Sequence, residues 1–163
     1  AAFATSRPDA VVNCAAWTAV DAAEDNGAAA FMAKAIGPAL VIKHFFPLLA
    51  RTGPCVAGFI SAKVGSIGDN ALGGWYGYRA SKAALNQLVR TAAIEQARRN
   101  PQSVVVTLHP GTVDTRLSKP FQRGVPELFD ATTSARHLLG VLDALTPADS
   151  GGLFAWDGSA IAF

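Results

Sequence analysis

The most constraining feature of the sequence is the apolar run "SVVVTLH", which spans residues 103–109. Three consecutive valines favour a strand, and a run without polar alternation is typical of a strand buried on both faces. Half of the residues are hydrophobic and only 16% are charged, which suits a parallel sheet covered by helices and argues against disorder. We therefore expect 103–109 to be an inner strand of such a sheet.

Strand-like and helix-like patterns alternate along the chain. Strands are predicted over 9–15, 54–61, 103–109 and 152–156, and helices over 27–50, 75–99 and 132–145. Pro38 is expected to bend the first helix, and Thr132, Thr133 or Ser134 to cap the last. This alternation predicts βαβ crossovers and a parallel α/β sheet in one domain, residues 1–163. We expect that domain to be incomplete at its N terminus, because residues 1–10 begin in mid-pattern.

The charge distribution argues against a nucleic-acid partner. The net charge is +2, the basic residues are scattered, and Arg98 and Arg99 are the only adjacent basic pair. The apolar region 35–50 is interrupted by two prolines, a lysine and a histidine, so we expect no membrane span there.

The cysteines and histidines are expected to be structural, with a contact between His109, which precedes Pro110 at a strand end, and the site as the alternative. Cys14 and Cys55 lie in apolar strand-like runs and are predicted to be buried free thiols, which favours a reducing compartment. No signal peptide is visible, so a cytoplasmic protein is expected. The three histidines show no metal-ligand spacing, and no metal is predicted.

A tyrosine and a lysine share the apolar face of the predicted second helix. Tyr78, Lys82, Leu85 and Val89 follow helical spacing, so Tyr78 and Lys82 should point inward, whereas Tyr76 should not. A lysine that snorkels beside a core tyrosine is the structural alternative. Ligands of parallel sheets bind beyond the carboxyl ends of the strands, and this helix starts after one of those ends.

The pair has a clear chemical use. A phenol titrates near pH 10, and a nearby ammonium group lowers that pKa, so Lys82 could prepare Tyr78 to exchange a proton with an alkoxide. Such an exchange is half of a carbonyl reduction. The other half, a hydride, requires a cofactor.

Several segments resemble the short-chain dehydrogenase/reductase family. "YGYRASKAALNQLV" is similar to that family's Tyr-x-x-x-Lys helix, "HPGTVDT" to the turn after its sixth strand, and "NCAA" to the turn after its fourth. From about Gly37 onward the chain resembles the C-factor-like branch, whereas residues 7–31 resemble dTDP-4-dehydrorhamnose reductases. The resemblance implies a Rossmann-like, doubly wound parallel sheet.

The resemblance also assigns roles to individual residues. It implies that Tyr78 is the acid/base, and that Lys82 lowers its pKa and holds the nicotinamide ribose of NAD or NADP. The other cofactor-binding residues that it implies are Asn13, Ala15, Ala16, Pro110, Gly111, Val113 and Thr115.

Three departures from the family pattern bear on these roles. The family's substrate-orienting serine pair reads Ser61-Ala62 here, and we prefer Ser61 over Ser66 for that role. Lys34 replaces an asparagine and is either an unusual variant or a surface lysine. The glycine-rich turn after the family's first strand, and the first three strands themselves, have no counterpart, so dinucleotide binding should be weak.

The leading hypothesis is an NAD(P)-dependent oxidoreductase that acts on a small-molecule carbonyl/alcohol pair. The alternatives are a reductase of dTDP-4-keto sugars, suggested by residues 7–31, and a non-catalytic family member that serves as an interaction module. A second copy of the chain, in a homo-oligomer, is the further partner that we consider.

Overall fold

The computed structural model describes residues 10–13 and 24–163. The strands are β1 (Ala10–Asn13), β2 (Cys55–Ile60), β3 (Ser103–His109), β4 (Thr112–Val113), β5 (Leu128–Phe129), β6 (Leu153–Ala155) and β7 (Ala160–Ile161). The α-helices are α1 (Gly27–Phe31), α2 (Gly37–Phe45), α3 (Tyr76–Arg99) and α4 (Ala131–Ala144).

The main sheet has five strands in the order β1-β2-β3-β6-β7. The first four run parallel, and β7 joins β6 in the antiparallel sense. The predicted parallel α/β sheet is therefore confirmed. Strands β4 and β5 form a separate two-stranded sheet beside the end of β3; they and β7 are two residues long, too short to show a period in the sequence.

The inner strand β3 is buried on both faces, as its apolar run predicts. Val104, Val106 and Leu108 pack with residues of α4 on one face, and Val105 packs with residues of α3 on the other. Burial of each such side chain contributes about 1.5–3 kcal/mol, so the strand is stabilised from both sides. Because helices cover both faces of β3, we expect a ligand at the end of the strand.

Helix α3 presents the predicted face to the sheet. Lys82, Leu85 and Val89 are buried, and Tyr76 is 83% exposed. The helix begins at Tyr76, one residue later than predicted, because Trp75 has a left-handed conformation with φ of 51°. Tyr78 thus faces inward from the first turn.

The first long helix contains a π-helical turn, Met32–Ile36, between α1 and α2. The N–H of Gly37 donates to the carbonyl of Met32, five residues earlier. Pro38 follows in the first turn of α2, where a missing N–H costs little. The predicted disturbance near Pro38 is therefore a widened turn just before it.

The segment Gly27–Leu48 meets the length and hydropathy criteria of a membrane-crossing helix, with a mean hydropathy of 1.3. Core helices of proteins without membrane spans satisfy the same criteria. The expectation that this region does not span a membrane stays a prediction.

The N-cap of α4 differs from the predicted one. Asp130, rather than Thr132, Thr133 or Ser134, precedes the helix, and its carboxylate accepts a hydrogen bond from the N–H of Thr133 at 2.9 Å. A carboxylate also interacts favourably with the helix dipole, which explains why Asp130 caps better than the hydroxyls that follow it.

Candidate active site

A cavity of about 280 Å³ lies at the carboxyl ends of β2 and β3, against the first turns of α3. The predicted site residues in its wall are Ser61, Tyr78, Lys82, Pro110, Gly111, Val113 and Thr115. A larger depression of about 690 Å³ along α4 contains none of them. The structure therefore brings Ser61, the turn at residues 109–115 and the Tyr78 helix together.

Of the cofactor-binding residues predicted in the "NCAA" turn, the structure describes only Asn13. Asn13 ends β1 and is not part of the cavity wall. Ala15 and Ala16 lie outside the described residues, as does Cys14. Their proposed contacts with the adenosine side of a cofactor stay predictions.

Lys82 is fixed at the cavity by a close approach of α3 to the loop after β2. A Cβ atom at Gly65 would lie 2.7 Å from Cβ of Lys82, so only glycine permits this approach. The Nζ of Lys82 donates a hydrogen bond to the carbonyl of Ile60 at 2.9 Å. The ammonium group is thus turned toward the end of β2, and Lys82 as a whole is only 3% exposed. The alternative of a lysine that snorkels to the solvent is therefore wrong.

Tyr78 lies one helical turn before Lys82, in the same cavity wall. Its backbone N–H donates to Oε1 of Glu24 at 3.1 Å, and its carbonyl accepts from the hydroxyl of Ser81 at 2.8 Å. A carboxylate at a helix N-terminus is stabilising, so Glu24 helps to anchor the turn that carries the phenol.

The loop before α3 is held by Arg79. Its guanidinium group donates to the carbonyls of Gly74 at 2.9 Å, Gly73 at 3.0 Å and Val64 at 3.2 Å. The same group lies 5.6 Å from the ring of Trp75, a residue with an unusual positive φ in the cavity wall. Strained backbone of this kind is kept where surrounding contacts enforce it, and here Arg79 supplies them.

The protonation of the pair differs from the expectation. Burial raises the pKa of Tyr78, whereas the sequence led us to expect a pKa lowered by Lys82. Burial, and next to it repulsion from Lys34, lowers the pKa of Lys82 from 10.5 to about 8. Both groups are desolvated together, and desolvation disfavours the charged form of each.

Lys34 belongs to the site, so its interpretation as a surface lysine is wrong. It is 1% exposed and lines the cavity. Its Nζ lies 5.5 Å from the centroid of the Tyr78 ring, a cation–π distance. Burial lowers its pKa.

Ser61 lines the cavity and Ser66 does not. The hydroxyl of Ser61 donates to Oδ1 of Asn86 at 2.7 Å, and Nδ2 of Asn86 donates to the carbonyl of Gly65 at 3.2 Å. Ser66 accepts from the N–H of Asp69 at 3.0 Å, a loop contact. Ser61 is thus the better placed serine, although its proton is directed at Asn86 in this arrangement.

The turn after β3 forms the opposite wall. Gly111 has φ of 74°, and a Cβ there would lie 2.8 Å from the ring of Phe129 and 2.9 Å from that of Trp156. The hydroxyl of Ser134 donates to the carbonyl of Pro110 at 3.0 Å. Helix α4 and an aromatic cluster therefore fix the turn that presents residues 110–113 to the cavity.

His109 ends β3 and lines the cavity. Burial, followed by repulsion from Lys63, lowers its pKa to about 4, although Asp157 acts in the opposite direction. Its Nδ1 has no hydrogen-bond partner among the described residues. His109 is therefore neutral at pH 7.

Sequence reasoning missed three contributors: the buried charge of Lys34, the loop-holding Arg79, and Asn86 as the partner of Ser61. Asn86 lies at i+4 from Lys82, on the inward face, and a polar residue there was the available signal. Within the described ranges, no group of three histidine, cysteine or acidic side chains could hold a metal ion.

Comparisons with known proteins agree with this geometry. A family model described as enoyl-(acyl carrier protein) reductase matches residues 2–156. The chain is 30% identical over 159 residues to an uncharacterised oxidoreductase of Schizosaccharomyces pombe, an alignment that covers 90% of this chain and 62% of that protein. It is 34% identical over 131 residues to C-signal of Myxococcus xanthus, covering 80% and 75% respectively.

A solved structure shows the same fold over nearly the whole chain. The NADPH-bound carbonyl reductase from chicken fatty liver superposes with a TM-score of 0.79 at 26% identity, covering 99% of this chain and 68% of that one. The chain thus spans 62–75% of the length of these three proteins. The similarity of residues 7–31 to dTDP-4-dehydrorhamnose reductases stays a prediction.

Proposed function

The chain belongs to the short-chain dehydrogenase/reductase family, and from this premise we propose that its cavity binds NAD or NADP and interconverts a small-molecule carbonyl compound and an alcohol. The observation that carries the proposal is the placement of Tyr78 and Lys82, one helical turn apart, in a cavity at the carboxyl ends of β2 and β3. Parallel α/β sheets bind their ligands at this edge.

The residues present fit the nicotinamide half of the cofactor. The ammonium group of Lys82 suits ribose hydroxyls, and the backbone of residues 110–113 together with Thr115 suits a carboxamide. A volume of about 280 Å³ suits a nicotinamide ring and a small substrate rather than a whole dinucleotide. When bound, the cofactor supplies or accepts the hydride.

Tyr78 is the proposed acid/base, and the structure favours the direction of reduction. Burial raises the pKa of Tyr78, so the phenol is protonated at neutral pH and ready to donate to a carbonyl oxygen as negative charge develops there. The ammonium group of Lys82 then stabilises the tyrosinate that remains. Ser61 is the proposed substrate-orienting residue, by rotation of its hydroxyl from Asn86 toward the cavity.

The second candidate is a non-catalytic member of the family. It is favoured by one contact: the hydroxyl of Ser61 donates to Asn86, while Ala62, at the position of the family's serine, presents only a methyl group to the cavity. The remaining alternative, reduction of a dTDP-4-keto sugar, depends on residues 7–31, most of which lie outside the described ranges.

Turnover and binding measurements on matched tyrosine variants test the proposal. NADPH binding is measured by saturation-transfer NMR. Turnover is measured with saturating NADPH and a panel of aldehydes, ketones and a dTDP-4-keto sugar.

Tyr78→Phe should lower turnover by about 10²–10⁴-fold, with NADPH binding and thermal stability close to the parent, because only the proton donor is removed. Tyr76→Phe is the matched control and should be silent, since Tyr76 is 83% exposed. Turnover of Tyr78→Phe within a few-fold of the parent would contradict the assignment. A parent that binds no NADPH and turns over no substrate would instead support the non-catalytic candidate.

A further inference from the structure

A second buried lysine lies in the proposed active site. Lys34 is 1% exposed, lines the same cavity as Lys82, and places its Nζ 5.5 Å from the centroid of the Tyr78 ring. Lysine is almost never buried to this extent unless it is paired or has a task. Lys34 therefore brings a second basic side chain into the cavity.

The backbone is adapted to place Lys34. It occupies the middle of the π-helical turn Met32–Ile36, whose closing hydrogen bond runs from Gly37 to Met32. Single π-helical turns inside α-helices frequently occur at functional sites. The other lysine of this helix, Lys43, is exposed and does not line the cavity.

Among the residues that the structure describes, Lys34 is the charged neighbour that acts on Lys82. The carbonyl of Ile60 accepts a hydrogen bond from Lys82, and Tyr78 and His109 line the same cavity. His109 carries no charge at pH 7, since its pKa is about 4. Repulsion from Lys34 is the second cause, after burial, of the lowered pKa of Lys82.

The other charged groups described near the cavity act on residues other than Lys82. Lys63 forms an ion pair with Asp69 at 3.6 Å and repels His109. Asp157 is exposed and attracts the protonated form of His109. The carboxylate of Glu24 accepts from the backbone of Tyr78 at the start of α3.

We propose that Lys34 is a positioning residue for the Tyr78–Lys82 pair: its ammonium group, held against the Tyr78 ring, keeps Lys82 ready to pass a proton to Tyr78 after each reduction. The inference rests on the proposed function. The protons balance without a further reagent. Tyr78 donates its proton to the substrate oxygen, the tyrosinate takes a proton from the Lys82 ammonium, and the neutral Lys82 amine takes one from water.

Lysine NMR tests this without turnover. The ¹³Cε resonances of labelled lysines are titrated with pH, and Lys82 is assigned by its loss in Lys82→Arg. Lys34→Met, which keeps the length but not the charge, should raise the pKa of Lys82 by about one unit from its value near 8. Lys34→Arg should leave the pKa near the parent value, and Lys43→Met, on the exposed face of the same helix, should have no effect.

Kinetics supply the second readout. In the pH profile of kcat, the limb that belongs to Lys82 should move up by the same one unit in Lys34→Met and return in Lys34→Arg. Lys34→Asn serves as a second neutral variant should the methionine variant fail to fold.

An unchanged pKa of Lys82 in a folded neutral variant overturns the inference, as does a shifted pKa with an unshifted pH profile. Failure of the proposed function has a different signature: the parent shows no turnover, or Tyr78→Phe matches the parent. The lysine titration then decides alone whether Lys34 acts on Lys82.

Discussion

Replacing Gly111 by alanine should damage the cavity wall in a predictable way. Two costs coincide at this position, since φ is 74° and the new Cβ would lie 2.8 Å from Phe129 and 2.9 Å from Trp156. Both contacts are with ring atoms of a packed aromatic cluster, in which the two rings have centroids 4.7 Å apart. Neither ring can move without disturbing its neighbour, so the turn must shift instead.

The magnitude follows from the two terms. A left-handed conformation costs a residue with a Cβ about 1–2 kcal/mol, and overpacking a dense region costs about 1–3 kcal/mol. Gly111→Ala should therefore lower the free energy of unfolding by about 2–5 kcal/mol. The displaced turn should also weaken NADPH binding, because residues 110–113 are its proposed contact with the carboxamide.

Substitutions at two other glycines separate the conformational cost from the steric cost. Gly124 has φ of 80°, and no atom lies within 4 Å of the position that an added methyl group would take, so Gly124→Ala reports the conformational cost alone. Gly140 lies inside α4 with equally open surroundings and no positive φ, so Gly140→Ala should stabilise the protein by about 0.5–1 kcal/mol. Urea unfolding followed by circular dichroism gives all three values. A loss for Gly111→Ala no larger than that for Gly124→Ala would refute the steric part of the reasoning.

Two further predictions concern His109 and the serines. The lowered pKa of His109 means that the folded state favours the neutral imidazole. The free energy of unfolding should therefore fall by about 3 kcal/mol as the pH falls from 6.5 to about 4. A folded His109→Gln variant should lose that part of the pH dependence in urea titrations. An unchanged pH dependence in this variant would contradict the role of His109. Ser61→Ala should lower turnover more than Ser66→Ala, by about 10²–10³-fold if its hydroxyl orients the substrate oxygen, and equal losses in a kinetic comparison would remove the preference for Ser61.

The parts of the fold that were predictable are those that a repeating apolar pattern determines. The run at 103–109 matches β3, and the spacing of Lys82, Leu85 and Val89 matches the buried face of α3. Short strands were not predictable, because two residues carry no period. The cap at Asp130 was missed because four neighbouring residues can all accept a hydrogen bond, and only the backbone selects among them.

The residues of the candidate site also fall into those that the sequence could predict and those that it could not. Motif spacing was enough to place Tyr78, Lys82 and Gly111 in one cavity wall, since parallel strands bring their carboxyl ends together. Motif spacing could not place Lys34, which lies in the π-helical turn Met32–Ile36. Because a π-helical turn has more residues than an α-helical turn, α-helical spacing does not predict which way its side chains point. The direction of the Tyr78 pKa shift was not predictable either, because it depends on the burial of the phenol in the folded structure.

The charges of the two lysines connect these observations to the proposed reaction. Proton release from Tyr78 leaves a tyrosinate in a desolvated place, where burial alone opposes it. The cation of Lys82 offsets that cost only while it is protonated, and its pKa is about 8. Above pH 8 the tyrosinate therefore loses the positive charge of Lys82, and reduction should slow. Because Lys34 lowers the pKa of Lys82, it lowers the pH above which reduction slows. Below that pH, the same lowered pKa makes it easier for Lys82 to donate its proton to Tyr78. A neutral residue at position 34 would extend reduction to higher pH and would slow the return of the proton to Tyr78 near neutrality.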